Sequence, residues 1–142
     1  MRWSHLSYDA QQGQLQLPGC GEVAVRHFDA PDGIATRFHE VCARSILSRV
    51  PSASRMPFRW TINVYRGCSH ACVYCFARPT HTYLGLNAGR DFEREIIVKV
   101  NAPELLRAEL ARASWRGERV ALGTNTDPYQ ARPRVPRTSV RG

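Results

Sequence analysis

An α/β fold is what this sequence predicts, and three observations carry the prediction. Residues 58–65, 95–100 and 119–123 are short apolar stretches rich in β-branched and aromatic side chains, the composition of strands. A helical pattern fills the interval between the second and third, opened by Asn101 and Pro103. The order strand, helix, strand, helix, strand predicts parallel pairing through right-handed crossovers. At 142 residues the chain is long enough for one domain with a core.

Residues 1–57 read as an N-terminal extension with one helix. Its first 35 or so residues are polar and punctuated by Gly13, Pro18, Gly19, Pro31 and Gly33, with an alternating strand candidate over residues 22–28. Thr36 then caps a helix predicted over residues 37–49. Phe38, Val41, Cys42 and Ile46 fall at i, i+3, i+4 and i+8, and Pro51 ends it. On that reading Cys42 packs in the core, and His39 and Glu40 are solvated helix residues.

Residues 58–130 hold the main strand and helix elements, and no internal repeat is visible. Residues 58–65 form the first strand, and Gly67 lets the backbone turn into a loop. Residues 76–84 predict a short helix broken around Pro79. Residues 95–100 read as a buried strand. In the helix that follows, Leu105, Leu106, Leu110 and Ala113 make the apolar face. Gly117 marks a turn before the last strand. Residues 131–142 carry Arg132, Arg134, Arg137 and Arg141 with no acid and no periodicity, and are expected to be a disordered tail.

The formal net charge is +8, and arginine supplies every one of the 20 basic residues except Lys99. Much of the excess lies in the tail, so charge is only a weak pointer to nucleic acid. No apolar run is long enough to span a bilayer, and the first residues lack the apolar stretch of a signal peptide. The expectation is a cytoplasmic protein with no membrane partner.

In a reducing compartment, clustered cysteines mean metal or catalysis more often than disulfides. Cys68, Cys72 and Cys75 are spaced C-x3-C-x2-C on the loop that leaves the first strand. A cubane of four irons normally takes four thiolates, so three leave one iron open for chemistry. Cys20 is a loop thiol remote from this trio, with a fourth-ligand role as the lesser alternative. With His70 or His81 the three cysteines could also make a Cys3His zinc site, although no second ligand pair follows at the usual distance. A ferredoxin-type carrier would need a fourth cysteine close by. His70 reads as a polar loop residue or hydrogen-bonding support. Arg66 and Arg78 flank the loop, either as partners of an anionic cluster or as solvated charges. Residues 123–130 form a second polar loop, after the last strand, with Thr124, Asn125 and Asp127. It is either an Asx-type turn or a polar wall for a bound cofactor.

Across residues 65–78 and 123–130 the chain resembles the radical S-adenosylmethionine superfamily. The likeness is to the branch of spore photoproduct lyase and related DNA repair photolyase proteins, and it runs from about residue 36 to 130. The resemblance implies an α/β chain forming the N-terminal portion of a partial (β/α) barrel, with its first βα units in residues 58–130. It implies that Cys68, Cys72 and Cys75 ligate a [4Fe–4S] cluster whose fourth iron chelates the amino and carboxylate groups of S-adenosylmethionine. Tyr74 would lie near the adenine, and Thr124, Asn125 and Asp127 would line the methionine end. An external one-electron donor of flavodoxin or ferredoxin type would reduce the cluster. The resulting 5′-deoxyadenosyl radical would act on a substrate that could be nucleic acid. A full barrel takes about 250 residues, and relatives continue past the second loop. The chain is therefore expected to be a truncated member, with the cluster site present and most of the barrel missing.

Overall fold

The computed structural model describes residues 24–28, as backbone, and residues 35–130. In chain order the strands are β1 (Ala24–Phe28), β2 (Thr36–Val41), β3 (Leu47–Arg49), β4 (Trp60–Ile62), β5 (Tyr65–Arg66), β6 (Glu95–Lys99) and β7 (Val120–Leu122). The helices are α1 (Arg90–Arg94) and α2 (Ala102–Leu110), with 3-10 segments at Ser52–Ser54 and Arg78–Leu84. The described residues are thus mixed α/β, arranged as two small sheets with no closed barrel.

The first sheet has the order β1-β2-β6-β5. β1 and β2 are antiparallel, β2 and β6 are parallel with Phe38 opposite Ile96, and β5 runs antiparallel to β6. The second sheet has the order β3-β4-β7, antiparallel and then parallel. Neither parallel pair joins strands consecutive in sequence, which corrects the expectation of parallel neighbours. The cause is a break in the stretch read as one strand over residues 58–65. It divides after Ile62, so that β4 joins the second sheet and β5 the first.

The helix expected over residues 37–49 is also corrected. Residues 36–41 are strand, a bend follows, and β3 takes up Leu47–Arg49. β2 lies between β1 and β6 and is covered on both faces. Phe38 packs with Ile96, Val98 and Tyr65 on one side, and Val41 packs with Ile97 and Leu84 on the other. A strand buried on both faces loses its period-2 alternation, and its apolar positions can then mimic a helical stripe. Two residue assignments change with it. Cys42, just past the end of β2, is exposed rather than core. His39 is 2% exposed rather than solvated.

The short helix expected over residues 76–84 is the 3-10 segment Arg78–Leu84, which has Pro79 in its first turn instead of breaking there, and α1 behind it was not expected. Phe92 of α1 and His81 of the 3-10 segment are both fully buried, edge to face with ring centroids 5.1 Å apart. Helix α2 packs Ala102, Leu105 and Leu106 against Ile46, Ile62, Leu47 and Val120, which lines the second sheet. Leu110 and Ala113, expected on that face, are exposed. Buried Glu109 follows Ala102, Leu105 and Leu106 on the inner face of the helix. Its carboxylate accepts the N–H groups of Ile46 at 3.0 Å and Leu47 at 2.9 Å. Burial alone would raise the Glu109 pKa, but these bonds hold it below the usual carboxylate range. Asn101 precedes α2 without a side-chain cap. Its amide instead bonds both the N–H and the C=O of Ala43, each at 2.8 Å.

No helix among the described residues is long and apolar enough to cross a membrane. Cys20 and residues 131–142 lie outside the described residues.

Candidate functional site

β5 ends at Arg66 and β7 at Leu122, and the two polar loops leave from these ends. Gly67 makes the first turn, with φ of +94°. A Cβ there would stand 2.8 Å from the Phe92 carbonyl oxygen and 3.0 Å from His81 Cε1, so only glycine admits the close approach. The next N–H, of Cys68, donates to that same Phe92 carbonyl at 3.0 Å. The beginning of the cysteine loop is thereby seated on α1.

Successive turns shape the rest of the loop. Ala71 N–H donates to Cys68 O at 3.3 Å, Cys75 N–H to Cys72 O at 3.2 Å, and Arg78 N–H to Cys75 O at 3.3 Å. Ala71 has φ of +54°, the left-handed region that costs an L residue about 1–2 kcal/mol. Cys68, Cys72 and Cys75 are free thiols, each half-buried. Tyr74 between them is 87% exposed, with Val73 and Phe76 exposed beside it. No group of three or more His, Cys, Asp or Glu side chains among the described residues is arranged around a single metal ion.

The second loop is bonded directly to the first. Gly67 O accepts Thr126 Oγ1–H at 2.6 Å and an N–H of Gln130 Nε2 at 3.1 Å. Gln130 Oε1 accepts the Ser69 N–H at 2.9 Å, and Gln130 also donates to Thr126 Oγ1 at 2.9 Å. His70 Nε2 lies 2.8 Å from Asp127 Oδ2. Asp127 also closes an Asx-type turn, its Oδ1 accepting the Tyr129 N–H at 2.9 Å. That backbone bond first, and His70 with it, holds the Asp127 pKa below its ordinary value. The loop is therefore an Asx-type turn, joined to the cysteine loop through His70.

Of the second-loop residues singled out from sequence, Asp127 alone bonds the cysteine loop. Thr124 and Asn125 are directed to Asn63, through Thr124 Oγ1 at 3.2 Å and the Asn125 N–H at 3.0 Å. The residues that make most of the junction, Thr126 and Gln130, are buried and were missed. Their i, i+4 spacing was visible, but nothing along the chain distinguished them from their neighbours.

A second polar group lies behind the loop. Glu95, at the start of β6, bonds His39 Nε2 at 2.6 Å and pairs with Arg37. Burial would raise its pKa, but these two partners hold it down. His81 donates from Nε2 to the Glu95 carbonyl at 2.9 Å, and desolvation lowers its pKa. Cys42 sits at the other end of this sheet, where Val41 pairs with Lys99.

No family model matches the chain, and no solved structure matches it. It is 57% identical over 115 residues to uncharacterized protein Rv2578c of Mycobacterium tuberculosis and to uncharacterized protein Mb2609c of Mycobacterium bovis. In each case the match covers 80% of this chain and 34% of the relative. The chain thus spans about a third of the length of these relatives.

Proposed function

We propose that Cys68, Cys72 and Cys75 hold a [4Fe–4S] cluster that binds S-adenosylmethionine, and that the chain is part of a radical S-adenosylmethionine enzyme. The observation that carries the reading is the bonding of two loops from two sheets into one rim, with three free thiols on it. In a cubane each thiolate takes a different iron, so the three sulfurs do not need to converge on one point as around zinc. Cys42 is at the far end of the first sheet, which leaves the donor set at three among the described residues.

A cluster held by Cys68, Cys72 and Cys75 would supply the one-electron reduction that cleaves S-adenosylmethionine and so opens hydrogen abstraction from a substrate. The chain's own residues do the positioning. Gly67 brings the loop against α1, and Thr126 and Gln130 fix its opening turn. Tyr74 is exposed and free to lie against an adenine. Asp127, ionised and held by the Tyr129 N–H and His70, offers its charge to the amino group of the methionine end, with Thr124 and Asn125 beside it. The same reading takes the parallel pair β4 and β7, bridged by α2, as early strands of a partial (β/α) barrel. It requires an external one-electron donor of flavodoxin or ferredoxin type.

Anaerobic reconstitution followed by iron and sulfide counting tests the site. Cys72→Ala is expected to lose the cluster, and Cys42→Ala to keep wild-type iron. Added S-adenosylmethionine should change the electron paramagnetic resonance spectrum of the reduced wild-type cluster. Colourless protein carrying zinc, or full iron in Cys72→Ala, would overturn the assignment.

A further inference from the structure

Arg78 comes three residues after the last cysteine, and its guanidinium is committed on both sides. Nε donates to the Cys72 carbonyl at 2.9 Å, and Nη2 donates to the Ala71 carbonyl at 2.8 Å. On the other side Nη1 donates to the Gly89 carbonyl at 2.6 Å and lies 3.5 Å from the Ala88 carbonyl. Nη2 also pairs with Glu93 Oε2 at 2.9 Å. The Cζ atom lies 5.3 Å from the centroid of the Phe92 ring. The side chain is 14% exposed, so it is not a solvated charge.

Two of these acceptors are the carbonyls of a cysteine in the trio and of the residue just before it, and that residue is strained. Ala71 sits in the left-handed region with no glycine to ease it. Such a conformation persists only where its surroundings over-determine it. The guanidinium supplies that restraint, because a rigid planar fork can span the loop and the entry to α1 together. Lysine offers a single point charge and glutamine one short amide, and neither can make the same set of bonds.

We propose that Arg78 is the positioning residue of the cluster site. It holds the main chain at Ala71 and Cys72 in the shape that presents the Cys72 thiol together with that of Cys68. The proposal rests on reading the loop as a cluster site. Its counterpart at the other end of the loop is the Gly67 junction made by Thr126 and Gln130, so the loop is held from both sides.

The test uses the full chain with Arg78→Lys and Arg78→Gln, beside Cys72→Ala. Both Arg78 variants are expected to keep the wild-type far-ultraviolet circular dichroism spectrum. An iron chelator should strip their reconstituted clusters about 10-fold faster than from wild type, in line with the effect of removing a group that orients metal ligands. The reduced cluster's resonance spectrum should change in both, with no rescue by lysine. Wild-type stripping rates and an unchanged spectrum in both variants would overturn the proposal. So would loss of the circular dichroism signal in both, which would make Arg78 a support of the whole fold. Full iron in Cys72→Ala would instead overturn the cluster reading itself.

Discussion

Gly67 shows how much of the site depends on one missing side chain. Its Cβ position is already claimed by the Phe92 carbonyl and the His81 ring, and its own carbonyl is the acceptor for Thr126 and Gln130. Gly67→Ala is therefore expected to cost about 1–3 kcal/mol through the positive φ alone, with the contact at Phe92 O adding to it. Urea unfolding of wild type and variant measures the loss. An unchanged midpoint would mean that the turn relaxes freely and that the seating on α1 does not matter. The glycine itself was legible in the sequence as a turn. Its neighbours were not, because Phe92 and Gln130 reach it only through the fold.

At the scale of elements, α2 does two jobs with one face. Ala102, Leu105 and Leu106 cover the second sheet, while Glu109 receives the N–H groups of Ile46 and Leu47 where the chain bends into β3. Ile46 is 1% exposed, so its N–H has no access to water if the carboxylate is removed. Glu109→Ala should cost about 1–3 kcal/mol, the penalty for a buried donor left unpaired. Glu109→Gln should cost less, since its amide oxygen still accepts one bond. Denaturant titration distinguishes them, and equal stability of all three proteins would remove the role assigned to Glu109. Helix α2 was predictable from its periodicity and its Asn-x-Pro opening, but a buried glutamate on its inner face was not. Periodicity counts apolar residues and passes over a charge that finds backbone partners.

For the molecule as a whole, the perturbed groups His81, Glu95 and Glu109 all act in the same direction. His81 has its pKa lowered by burial, so below about pH 6.5 the unfolded chain takes up a proton that the folded chain refuses. Stability then falls as the pH drops through that window. Glu95 and Glu109 have lowered pKa values, so their contribution is present above the ordinary carboxylate range and is lost as pH falls through the folded values. The melting temperature should decline in two stages on acidification. His81→Phe should be less stable at pH 8 yet lack the upper stage. A variant that keeps the upper stage would assign it to another group. The sequence alone determined the trio of thiols, their loop after a strand, the buried run of β6 and the start of α2. All of these are properties of residues within a few positions of each other. The tertiary structure decided that β2 is a strand, that the stretch over residues 58–65 serves two sheets, and that His39 is buried against Glu95. It also decided that Gln130 holds Ser69 across 61 residues. Spacing along the chain carries information only over the length of one helix turn or strand pleat, whereas these choices depend on which surfaces meet after the chain has closed on itself.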